Sequence, residues 1–176
     1  WEMVDGDLLH ALKLCQNETV KNGITIFNKG VMHFPKTAIS IRLHGYEWLE
    51  RRAGKPIKVI GVEKEFFDKF FIKSNAADLE RIEIEIAKIL GVESWKGAVS
   101  HIVEKHRFIP QDVWLFDGPQ IYSLKKKDPA YFEFLAKELD KYLCVRICAV
   151  PEHRTTLHKR WKEVLELLYD HVGYKP

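Results

Sequence analysis

The stretch Leu143-Cys144-Val145-Arg146-Ile147-Cys148-Ala149-Val150 decides the fold, because it alternates with the two-residue period of a strand and has helical pattern on both sides. Before it, Asp128-Pro129 opens a helix with Phe132, Leu135, Ala136 and Leu139 inward, since Asp caps and Pro is pre-set for a first turn. After it, Thr155 or Thr156 starts a last helix bearing Leu157, Trp161, Val164, Leu165 and Leu168. Strands and helices therefore follow one another without a strict repeat.

Towards the N-terminus, Ala38 to Leu43 and Pro56 to Val62 alternate as strands, and Val113 to Phe116 is a short strand stopped by Asp117-Gly118-Pro119. Phe70 to Ile72 is a further candidate strand. Ile24 to Phe27 and Val31 to Phe34 flank Asn28-Lys29-Gly30, which is hairpin chemistry, because Asn and Gly tolerate positive φ. The expected helices run from Asp5 to about Cys15 with Val20 on the same apolar face and a stop at Asn22-Gly23, over Tyr46 to Arg52, from Ser74 or Asn75 to Gly91, and from Ser94 through Ile102 and Val103. The expected class is α+β, a mixed or antiparallel sheet flanked by helices.

The chain of 176 residues is 46% hydrophobic and 30% charged, which suits one domain with a real core and excludes wholesale disorder. Its apolar runs fall far short of the roughly 18 residues of a membrane helix, so no membrane partner is expected. With 28 basic and 25 acidic residues the net charge is +3, which permits a polyanionic partner without requiring one. Cys15, Cys144 and Cys148 form no disulfide framework, and the expected compartment is the reducing cytoplasm. The start at Trp1, with no initiator Met, suits one module of a longer protein.

Catalytic and metal chemistry is weakly signalled. Cys144, Cys148, His153 and His158 have the residue types of a zinc set, but on a strand the two cysteines lie roughly 13 Å apart, too far to share one ion. Glu63-Lys64-Glu65 after an apolar strand is a partial match to metal-dependent nucleases and lacks their acidic spacing. There is no phosphate loop, nucleophile elbow or His-Glu metal helix. No catalytic residue, metal or cofactor is expected.

The basic residues are suggestive by placement. Arg51, Arg52, Lys55 and Lys58 cluster about a turn, Lys125-Lys126-Lys127 sits in a loop, and Arg154, His158, Lys159, Arg160 and Lys162 load the first turns of the last helix, where cations oppose the macrodipole. Arg51, Arg52, Arg154, Lys159 and Arg160 are the expected phosphate contacts. Of five tryptophans, Trp161 is in phase with its helix's core stripe, and Trp95 falls at a junction where an exposed ring could stack on a base.

Phe70-Phe71-Ile72-Lys73-Ser74-Asn75, a helix, Gly91-Val92 and Trp95, a second helix, then Asp112 to Phe116 resembles the opening of a YTH domain over about a quarter of the chain. The resemblance implies a PUA-like fold in which Lys73, Ser74 and Asn75 contact a nucleotide and Trp95 walls an aromatic cage around N6-methyladenine. It also implies a DNA-reading module ahead of a motor or nuclease domain, as in modification-dependent restriction systems. The resulting expectation is a non-catalytic domain that binds nucleic acid, DNA ahead of RNA, and reads a flipped, modified base. The alternatives are a metal-dependent nuclease and a protein-interaction module.

Overall fold

The computed structural model describes residues 5–44, 57–93, 98–102 and 112–176. In chain order the elements are α1 (Asp5–Leu14), α2 (Glu18–Asn28), a 3-10 turn (Val31–His33), β1 (Lys36–Leu43), β2 (Lys58–Val62), α3 (Lys64–Lys73), α4 (Ala76–Leu90), β3 (Ala98–Ile102), β4 (Trp114–Asp117), β5 (Gln120–Ser123), α5 (Leu124–Lys127), α6 (Pro129–Asp140), β6 (Cys144–Ala149), α7 (Pro151–Lys159) and α8 (Trp161–Val172). The class is α+β. A mixed sheet has the order β2-β1-β6-β3, and β4 and β5 form a separate hairpin.

The stretch at Cys144 to Ala149 is the hub that its alternation suggests. It pairs antiparallel with β1, Ile39 opposite Ile147 and Ile41 opposite Val145, and antiparallel with β3 on its other side. β1 in turn runs parallel to β2, with Ile41 opposite Ile60 and Leu43 opposite Val62. Register therefore stacks Ile39, Ile41, Leu43, Ile60, Val62, Val145 and Ile147 on one face. That face forms one cluster with Phe66, Phe67 and Phe70 of α3, Ile82 and Ile86 of α4, Leu157 of α7, and Val164, Leu168 and Val172 of α8.

The helices that cover this face are delimited by local chemistry. Asn75 caps α4 with its side-chain oxygen accepting from Ala77 and Asp78 N–H, and Asp78 reciprocates to the Asn75 N–H, so two orphan donors of the first turn are satisfied. α4 ends at Gly91 and α8 at Gly173, both left-handed at φ 69° and 65°. In each case the next residue donates back five positions, Val92 to Ala87 O and Tyr174 to Tyr169 O. The second turn folds Tyr174 onto the core, its ring 5.9 Å from Phe66 and 5.1 Å from Tyr169. Trp161 packs half-buried against the same cluster, with Lys58 Nζ 4.3 Å over its ring.

Several expectations from sequence are corrected. Ile24 to Phe27 belongs to α2 and Val31 to His33 to a 3-10 turn, not to a hairpin. The first helix stops at Leu14, and Asn17 caps a second one that runs through Gly23. Phe70 to Ile72 is the end of α3, a helix because Phe66, Phe67, Phe70 and Phe71 recur at helical spacing onto the core. Ala98 to Ile102 is strand β3 rather than helix, paired along β6. The last helical region begins at Pro151, not at the threonines, and breaks at Arg160. Ala136 is exposed. Tyr46 to Arg52, Ser94 and Val103 lie outside the described residues.

Phe66 is fully buried, with Phe67, Phe70, Tyr169 and Tyr174 rings all within 5.9 Å of its centroid. Phe66→Ala removes the ring shared by α3, α8 and the C-terminal turn, and is expected to lower stability by about 3 to 5 kcal/mol. Urea unfolding followed by circular dichroism checks this; a loss under about 1 kcal/mol would mean that the cluster is not the core.

Candidate nucleic-acid interface

The residues expected to hold a base are engaged in holding the fold. Lys73 Nζ donates to Val172 O at 2.8 Å, and Lys69, one turn earlier on α3, reaches Gly173 O at 3.4 Å. Two ammonium groups thus meet the carbonyl end of α8, where the macrodipole favours cations. Ser74 Oγ lies 3.4 Å from His171 Nε2, and Asn75 is the cap of α4. Trp95, Arg51 and Arg52 lie outside the described residues.

The expected phosphate contacts are similarly tied. Arg154 Nε donates to Thr37 O at 2.8 Å, joining α7 to the start of β1. Arg160 grips Glu163 through two hydrogen bonds of 2.8 and 2.6 Å and donates its third arm to Ile89 O near the end of α4. Those bonds hold the Glu163 carboxyl below its usual range. Lys159 is exposed. Because the helix breaks at Arg160, His158 and Lys159 fall in the last turn of α7, where cations suit the macrodipole instead of opposing it. Their placement there therefore has a structural reason.

The acidic and thiol clusters do not converge. Glu63 faces His44 at 3.7 Å, whereas Glu65 turns to Lys69 at 2.7 Å. None of the three cysteines is disulfide-bonded, and Cys144 and Cys148 sit on one strand. Among the described residues no three His, Cys, Asp or Glu side chains gather as a metal site. On the face of the sheet away from the cluster, register sets Arg42 opposite Cys144, Ser40 opposite Arg146 and Thr37 opposite Cys148. Ser40 and Arg42 are buried there.

Exposed apolar side chains are spread along the chain from Leu8 to Tyr142, and three of them gather on one face of the hairpin. Trp114 pairs with Ser123 and Phe116 with Ile121, so directly opposed side chains put Trp114, Phe116 and Ile121 on one face. Their exposures are 69%, 75% and 68%, whereas Leu115 and Tyr122 on the other face are half-buried. The sequence pattern marks Val113 to Phe116 as a strand but not β5, whose Gln120-Ile121-Tyr122-Ser123 is too short to show a period. The available signal is the turn Asp117-Gly118-Pro119, with Gly118 at φ 61°.

One end of the hairpin is locked by Asp112. Its carboxylate accepts from Ser123 Oγ at 2.5 Å and from Lys125 N–H at 3.1 Å. Ser123 Oγ in turn accepts from Lys126 N–H at 3.1 Å, capping α5. This turn carries Lys125, Lys126 and Lys127, all exposed, directly after the strand that holds Ile121. Lys127 Nζ donates to Tyr122 Oη at 2.6 Å and lies 4.2 Å from the centre of its ring. The loop expected around these lysines is thus a short capped helix.

Comparison with models of known protein families, with curated proteins and with solved structures finds no match to this chain. Among the described residues no helix is long and apolar enough to cross a membrane.

Two outcomes are expected from this geometry. Asn75→Ala should lower stability by about 1 kcal/mol in urea while leaving oligonucleotide affinity unchanged, because its side chain serves the helix; an affinity loss at unchanged stability would restore it to the base site. The second concerns acid. The Ser123 hydrogen bond first, then the Lys125 N–H, hold the Asp112 carboxyl below its ordinary value of 3.8. A carboxyl depressed in the fold stabilises it above the unfolded pKa, and that contribution fades as pH falls through the folded value. Carboxyl NMR titration should give Asp112 a midpoint below the ordinary one, rising in Ser123→Ala; an ordinary midpoint in the parent protein would remove the lock.

Proposed function

We propose that this chain is a nucleic-acid-binding domain without catalytic activity of its own. The observation that carries the reading is the pairing of an exposed Trp114-Phe116-Ile121 face with the exposed Lys125 and Lys126 on the adjoining turn. Aromatic rings offer bases a stacking surface, and lysines held beside them neutralise phosphates without specifying sequence. The phosphate contacts thus move from Arg154 and Arg160, which bind backbone carbonyls, to Lys125 and Lys126, Lys127 being held by Tyr122 Oη. A nuclease reading has no converging acids among the described residues to support it. A finer proposal, that a methylated adenine is read against Trp95, rests on the sequence resemblance to YTH and PUA-like readers alone, since Phe70 to Ile72 ends a helix and Ala98 to Ile102 is a strand.

Phosphate contacts release counterions, so their number is readable from salt dependence. Titration of labelled DNA at a series of salt concentrations should give a steep fall in affinity, and replacing Lys125 and Lys126 together by Ala should flatten the slope by about one unit for each phosphate that is no longer neutralised. Absence of binding at low salt would overturn the proposal, and salt-insensitive binding of a protein at this face would favour an interaction module. Matched strands with and without N6-methyladenine test the finer form.

A further inference from the structure

We infer that the ligand of the hairpin is an unpaired strand, two successive bases of which lie on Trp114 and Phe116; this rests on the nucleic-acid reading and names its substrate class. The two rings stand at positions i and i+2 of β4 and share a face, which sets their attachment points roughly 7 Å apart. Bases in a duplex rise about 3.4 Å per step along each strand and turn only their edges outwards. To meet both rings face-on, neighbouring bases must be drawn apart to about twice that rise. Only a strand released from its complement can do this at no cost in pairing.

The rest of the surface fits the same occupant. Ile121, opposite Phe116, extends the platform without adding charge. The carboxylate on this face, Asp112, is engaged by Ser123 Oγ and Lys125 N–H, at the end where Lys125 and Lys126 stand. Phosphates linking the two bases therefore approach a rim of lysines rather than a bare acid. Tyr122 lies on the opposite face under Lys127 and is not part of the platform.

The test compares a labelled oligothymidylate with a blunt duplex of the same phosphate count, using the full chain. The single strand is expected to bind at least tenfold more tightly. Trp114→Ala with Phe116→Ala should weaken the single strand by roughly tenfold or more and leave the duplex unchanged. Both rings are exposed, so the melting temperature should not move. Trp114→Tyr should keep most of the affinity and Trp114→Leu should not, because stacking needs a π-face whereas general apolar contact does not; these single changes also serve if the double variant folds poorly. Equal affinity for both probes, with no effect of the ring variants and a retained salt slope, overturns the single-strand inference and leaves nucleic-acid binding standing. No binding of either probe overturns both.

Discussion

Strand β1 meets almost no water from Ala38 to Leu43, and most of the fold follows from that burial. It has a parallel neighbour on one side and an antiparallel neighbour on the other, so its backbone donors and acceptors are consumed within the sheet. Its side chains alternate between two faces that must both be covered. One needs helices bearing aromatic bulk, which α3 provides through Phe66, Phe67 and Phe70. The other is polar, carrying Ser40 and Arg42, and buried polar groups restrict what can sit there far more than buried isoleucines do. A one-residue slip of β1 would exchange the two sets, which is why its register is strongly specified.

Much of this frame is legible in the sequence, and the exceptions share a cause. β1, β2 and β6 show their period, and α4 shows both its cap and its stop. Ile24-Thr25-Ile26-Phe27 is misread because β-branched residues beside Asn-Lys-Gly satisfy every local rule for a hairpin, while Asn17, seven residues earlier, has already committed the chain to a helix by accepting from Thr19 and Val20 N–H. At Phe70 the error is one of window: three residues read as a strand, but the ten from Lys64 have helical spacing. The start of α7 is marked by Pro151 at its first position, the same signal that opens α6 at Pro129.

The site is less legible than the fold, because the function of a cation depends on its partner and the partner is distant in sequence. Lys73 meets Val172, Arg154 meets Thr37 and Arg160 meets Ile89, separations that no motif spacing encodes. Clustering along the chain therefore overstates the basic surface at α7 and understates it at Lys125 to Lys127, where three consecutive lysines look like an ordinary loop. A charge run is informative once the atoms it already satisfies are subtracted. After that subtraction Arg154 and Arg160 are occupied by backbone carbonyls and Lys127 by Tyr122, and Lys125 and Lys126 remain beside a hairpin.

That hairpin departs from the usual arrangement of a small sheet by being apolar on both faces. Antiparallel ribbons ordinarily keep their apolar side chains inward and their polar ones outward, and an isolated pair of short strands is marginal in water. Here the inward face has Leu115 and Tyr122, while the outward face has the larger Trp114 together with Phe116 and Ile121. Folding gains little from the outward three, which stay more than two-thirds exposed. The chain instead secures the ribbon by polar means, through Asp112, Ser123 and the cap of α5, so that its stability does not depend on burying those rings. A platform held open by hydrogen bonds at one end is free to be covered by something else, and the neighbouring lysines set the sign of its charge.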